Sequence, residues 1–132
     1  RTSGKEQARN FIKTAELKKG NIIPVLDIEK HRFMTDPEKS VREALAFCKE
    51  IRRYYGTNPI IYCSTNFYQT YLADDFSPDD YILWIADYGE CPEVEWQLWQ
   101  HTDAYSIPGI RKKVDRNVFR GSEQEFQKLI LQ

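Results

Sequence analysis

The sequence predicts an α/β fold on a parallel sheet, with the element order of the second half of a larger β/α barrel. Three observations lead there. Two apolar strands, residues 22–28 and 60–63, flank a single amphipathic helix. That order, with strands apolar along their whole length, makes a parallel β-α-β unit buried on both faces. The chain opens on a helix rather than a strand, and its 132 residues hold about four main strands, whereas a complete barrel runs to ~200 residues or more.

Each element has its own local signal. Residues 4–18 carry Ala8, Phe11, Ile12 and Ala15 at i, i+3, i+4 and i+7, with charges opposite and Gly20 as a stop. The strand 22–28 follows. Asp36, Pro37 and Glu38 then supply an N-cap, a proline at the first helical position and an acid in the first turn. The helix they start carries Val41, Ala44, Leu45, Cys48, Ile51 and Tyr55 on one stripe and stops at Gly56. Asn58 and Pro59 launch the strand 60–63, after which Ser64, Thr65 and Asn66 cap a short helix over 67–72. A third strand is expected at 81–86 and a fourth at 96–100. Only residues 87–95 join these two, fewer than the dozen or so that a parallel crossover ordinarily takes. The fourth strand is therefore expected to be reached without a helix, by a hairpin. Residues 103–111 read as loop, 114–119 as a short strand, and 122–131 as a terminal helix with Phe126, Leu129 and Ile130 on one face.

The bulk composition narrows the partners. A formal net charge of −1 with no basic patch argues against a nucleic-acid partner, and no apolar run approaches the ~20 residues that span a bilayer. The first residues, Arg1-Thr2-Ser3-Gly4-Lys5, contain no apolar signal-peptide core. Cys48, Cys63 and Cys91 are odd in number and lack CxxC spacing, which disfavours a disulfide framework and a structural zinc site. The aromatics, three Trp, eight Tyr and seven Phe, exceed what a core of this size needs. Their faces suit stacking on sugar rings.

The strand 22–28 carries the most pointed chemical signal. Its apolar run ends in Asp27 and Glu29, with Ile28 between. On a strand these side chains face the same way, about 6.6 Å apart along the backbone. A close pair in which one acid is poorly solvated makes an acid/base couple suited to glycosidic bond cleavage. Two solvated acids at a strand end fit the same residues. So does a metal-ligand set of Asp27, Glu29 and His31, although no second histidine stands at ligand spacing.

Together the segments resemble family 25 of the glycoside hydrolases, the N-acetylmuramidase lysozymes. Pro24-Val25-Leu26-Asp27-Ile28-Glu29 resembles the family's D-x-E strand, and Ile61-Tyr62-Cys63-Ser64 continues the match. Leu83-Trp84-Ile85-Ala86-Asp87-Tyr88 is similar to its W-x-A-x-Y strand, and Trp99-Gln100 to its W-Q strand. Gly109-Ile110 and Val114-Asp115-Arg116-Asn117-Val118-Phe119 resemble its closing D-x-N-x-F segment. The order and spacing hold over essentially the whole chain.

The resemblance implies an irregular eight-stranded β/α barrel, with residues 1–132 forming the later part of one catalytic domain whose N-terminal strands lie outside it. It implies peptidoglycan as substrate, cut at the β-1,4 bond between N-acetylmuramic acid and N-acetylglucosamine, with no cofactor or metal. Glu29 is expected to be the general acid with a raised pKa, and Asp27 its ionised neighbour. Asp115, Tyr62, Trp84, Tyr88 and Trp99 are expected to bind substrate; core packing for the aromatics and turn capping for Asp115 fit the same residue types. A wall hydrolase is expected to face the cell wall, by secretion or phage release. An open half-barrel has two unpaired sheet edges, so either self-association or a complementary chain that completes the barrel is expected. A non-catalytic glycan-binding fragment is the competing reading.

Overall fold

The computed structural model of the chain describes residues 2–30 and 34–132. Helix α1 spans Gly4–Ala15. Strand β1 spans Val25–Asp27, helix α2 Pro37–Tyr55 and strand β2 Ile60–Ser64. A short helix α3, Thr65–Phe67, runs into a π turn at Tyr68–Leu72. Strand β3 spans Leu83–Ala86, β4 Leu98–Tyr105 and β5 Val114–Phe119. Helix α4 covers Glu123–Phe126 and ends in a 3₁₀ turn at Gln127–Leu129. The strands form one open sheet in the order β1-β2-β3-β4-β5, five strands where about four main ones are expected. The barrel is not closed.

The caps explain the helix boundaries. Ser3 and Glu6 form a reciprocal capping box at the start of α1. Asp36 accepts from the Lys39 amide at 3.0 Å, Pro37 holds the first position of α2, and Gly56, at φ 75°, ends it with its amide on Arg52 O. Helix α1 stops at Ala15, three residues before its expected end, because Glu16 turns left-handed at φ 49°.

Strands β1, β2, β3 and β4 are mutually parallel, and β4 and β5 are antiparallel. The expected hairpin into β4 is therefore wrong, although no helix intervenes. The crossover from β3 is irregular, with bends at 88–90, 93–94 and 97, and non-helical chain can advance up to about 3.3 Å per residue against 1.5 Å in a helix. Few residues then suffice to return to the start of the next strand. Val94 and Trp96 from this segment fill the core that a crossover helix would otherwise cover. The hairpin lies one strand later, between β4 and β5, and residues 103–105, expected as loop, continue β4.

Two core layers cover one face of the sheet. Ile61, Cys63, Leu83 and Ile85 pack with Val41, Ala44 and Cys48 of α2 and with Phe67 and Leu72. Beyond them Ala8, Phe47 and Ile51 join α1 to α2. Between these helices the buried Glu50 faces Lys5 at 4.0 Å, Arg9 at 3.8 Å and Arg53 at 3.3 Å. Burial pushes the Cys48 and Cys63 thiols up to about 12, so both are neutral packing groups.

The opposite face is apolar only near its base. There Ile23 and Ile60 pack with Leu129 and Leu131 and with the partly buried Val25, Ile82, Leu98 and Phe119. Residues 122–131 do not form one helix, because the last part is recruited as backbone partner to the segment before β1. Ile23 N donates to Leu129 O at 2.8 Å, Leu131 N to Asn21 O at 2.8 Å and Gly20 N to Leu131 O at 2.9 Å, around an antiparallel Ile22–Ile130 bridge.

Helix α1 approaches α2 so closely that a Cβ on Gly4 would lie 1.9 Å from the Glu43 carbonyl oxygen, and the Gly4 amide donates to the Glu43 carboxylate. Gly4→Ala, normally favourable in a helix, is expected to destabilise the fold by about 1–3 kcal/mol through overpacking. Urea denaturation of the two proteins measures this directly.

Candidate active site

Period-two alternation puts one set of side chains on the sheet face away from the helices. The pairings Asp27–Tyr62, Tyr62–Trp84 and Trp84–Leu98 form one row, and Ser64–Ala86, Ala86–Gln100 and Gln100–Asn117 the next. Strands β1 to β4 all point the same way; the rows reach the last residues of β1, β2 and β3 and the first half of β4.

Asp27 is the last residue of β1, and the ladder does not stop there. The Ile28 amide donates to Tyr62 O at 2.9 Å, which keeps the chain extended and returns Glu29 to the side of Asp27. The two carboxyls are near enough that Glu29 bears on the ionisation of Asp27. The Asp27 carboxyl is pushed up to about 6, first by loss of solvent among the strand ends and then by Glu29. Asp27 is paired to β2 beside Tyr62, and Glu29 follows just beyond the strand; both are exposed. A recess of about 380 Å³ opens beside both acids, between the first turns of α1 and α2. His31 lies outside the described residues, and among those described no group of three or more His, Cys, Asp or Glu is arranged to hold a metal.

A hydrogen-bonded wall stands next to the acids. Tyr62 Oη donates to Gln100 Oε1 at 2.6 Å, and Tyr88 Oη donates to the same oxygen at 2.8 Å. Gln100 Nε2 donates to Asp115 Oδ2 at 3.2 Å. Trp84 packs edge-on to Tyr62, with centroids 4.9 Å apart, and its Nε1 donates to Asn117 Oδ1 at 2.8 Å. Burial, followed by Tyr88, Glu29, Asp27 and Asp115, raises the Tyr62 phenol to about 12 and keeps it a neutral donor. Asp115 is a strand residue, not a turn cap.

Six of the seven expected site residues, Asp27, Glu29, Tyr62, Trp84, Tyr88 and Asp115, thus gather on one face. Trp99 does not. It pairs with Ile85 and Val118, packs with the helix-side core and Trp96, and its Nε1 donates to Asp87 O at 2.7 Å. One residue sets the face, and Trp99 lies on the helix side. Gln100, its neighbour, belongs to the W-Q motif but is absent from the expected site residues; its burial in the sheet gives its amide a need for partners.

An Asp–Glu pair at the end of a parallel strand, beside aromatic side chains on one sheet face, fits the class of the β/α glycoside hydrolases. The chain belongs to the glycosyl hydrolases family 25, whose family model matches residues 1–110. It is 34% identical over 128 residues to the uncharacterized protein YegX of Escherichia coli O157:H7, covering 94% of this chain and 46% of that protein. A family 25 glycosyl hydrolase from Bacillus anthracis superposes with a TM-score of 0.80 at 26% identity, over 96% of this chain and 63% of that one. A bacterial lysozyme from Streptomyces coelicolor shares the fold, with a TM-score of 0.77 at 22% identity, over 98% of this chain and 66% of that one. The chain spans about half the length of the curated relatives it matches.

Asp27 sets a pH dependence of stability. Its folded pKa lies above the ordinary 3.8, so the folded protein holds the extra proton. The associated stability is full below pH 3.8 and is lost as pH rises through about 6. Asp27→Asn is expected to flatten this slope and to stabilise the protein at pH 7, by about 1 kcal/mol once solvent screening is allowed for. Thermal melts of both proteins across this range test it.

Proposed function

We propose that the chain carries the acid centre of a peptidoglycan hydrolase, a muramidase cutting the β-1,4 bond from N-acetylmuramic acid to N-acetylglucosamine. The observation that carries the reading is the Asp27–Glu29 pair at the end of β1, both acids lining one recess, in a chain of family 25. A pair that shares one proton supplies general acid catalysis near neutral pH. Glu29, outermost and exposed, delivers that proton to the leaving glycosidic oxygen. Asp27 holds the proton at rest and stabilises developing positive charge once it has left. Tyr62, Trp84, Tyr88 and Asp115 flank the glycan, and no step calls for a metal or cofactor.

Glu29→Gln is expected to lower wall lysis by about 10²–10⁴-fold while glycan binding persists, and native lysis is expected to fall as pH rises through about 6. Turbidity loss of a cell-wall suspension, beside a pull-down on the same walls, separates the two effects. Intact lysis by the Gln variant would falsify the acid assignment, and loss of binding alone would favour a glycan-binding module.

We further propose that lysis requires the open sheet to be completed by strands outside these 132 residues, whether from a second copy, a complementary chain or a longer form of the same chain. Strands β1 and β5 end the sheet with one unpaired edge each, and exposed edges recruit partners. Light scattering is expected to show association of the isolated chain; a stable monomer that lyses walls would refute the requirement.

A further inference from the structure

We propose that Gln100 is a positioning residue that turns the phenol protons of Tyr62 and Tyr88 inward, so that both hydroxyls meet the open side as acceptors. These two hydroxyls then select ligand groups that donate, namely glycan hydroxyls and amide N–H groups. The nature of the ligand rests on the hydrolase reading above; the orientation of the wall does not.

The amide can face only one way. A carboxylate accepts and does not donate, so the nitrogen of Gln100 must be the atom 3.2 Å from Asp115 Oδ2. The oxygen then faces both phenols, at 2.6 and 2.8 Å. A carbonyl oxygen only accepts, so each phenol commits its single proton to it and keeps lone pairs alone for the open side. Trp84 has one donor, and Asn117 takes it at 2.8 Å. The donors of Tyr62, Tyr88 and Trp84 are thus all spent within the wall.

Gln100 is built to hold this arrangement. It is 5% exposed, so its amide groups have little water to fall back on, and losing a partner costs their desolvation. Its backbone is paired to β3 and to β5, and its carbonyl accepts from the Asp87 amide at 3.1 Å. One side chain therefore ties β2, the turn after β3 and β5 into a single hydrogen-bond pattern.

Two measurements on the full chain test the role. In a neutron structure of the deuterated protein, the deuterons on Tyr62 and Tyr88 Oη are expected to point at Gln100 Oε1. A deuteron aimed from either into the open face would overturn the proposal. In calorimetry with chitotetraose, Gln100→Met is expected to weaken binding about tenfold, the scale of one misdirected hydrogen bond. Where Tyr62 and Tyr88 are both Phe, the same change is expected to cost less than about twofold, because no hydroxyl remains to be turned. Equal losses in both backgrounds would mean a packing role only. Deuterons on Gln100 with no tetrasaccharide binding by the native chain would sustain the positioning role and count against the glycan reading.

Discussion

The hydrogen bond from the Ile28 amide to Tyr62 O, at 2.9 Å, is the constraint on which the acid centre depends. Strand β1 is three residues long, too short to impose alternation on the residues beyond its end. This bond extends the parallel ladder past Asp27 and so returns Glu29 to the same side. Without it the two carboxyls would diverge, and Asp27 would lose the neighbour that helps hold its proton. The partner carbonyl belongs to Tyr62, whose side chain belongs to the neighbouring wall. Backbone pairing at one residue thus sets both the separation of the acids and their distance from the aromatics.

The sheet divides its work by face. Alternate residues of β2 and β3 turn either to the helices, where Ile61, Cys63, Leu83 and Ile85 are buried, or to the open side, where Tyr62 and Trp84 keep polar atoms in use. Rigidity comes from the first set and chemistry from the second. Glu50 makes the same point among the helices: a buried carboxylate is tolerated because three cations from α1 and α2 surround it.

Features written in adjacent residues are legible from sequence. Helix α2 begins and ends at its expected positions because Asp36, Pro37 and Gly56 act on their own turns. The closeness of Asp27 and Glu29 is suggested by a period of two, and the Ile28–Tyr62 bond carries that period past the end of β1. Features that need a distant partner are not legible. Nothing near residue 96 reports that Val94 and Trp96 will fill a helix's place beneath the sheet, so connection length alone points to a hairpin where β4 is parallel. The face of Trp99 turns on register with Ile85, which motif spacing does not carry. Gln100 collects its partners from residues 62, 88 and 115.

The bridge between Ile22 and Ile130 reaches across nearly the whole sequence. It anchors the segment that enters β1, the strand bearing the acids, to residues the ribosome releases long after that strand has emerged. Helices α1 and α2 form contacts as they leave the tunnel, since their partners are near in sequence. The acid strand gains its lower anchor only when residues 129–131 arrive. Vectorial synthesis therefore keeps this part of the molecule provisional until the scaffold around it has been made.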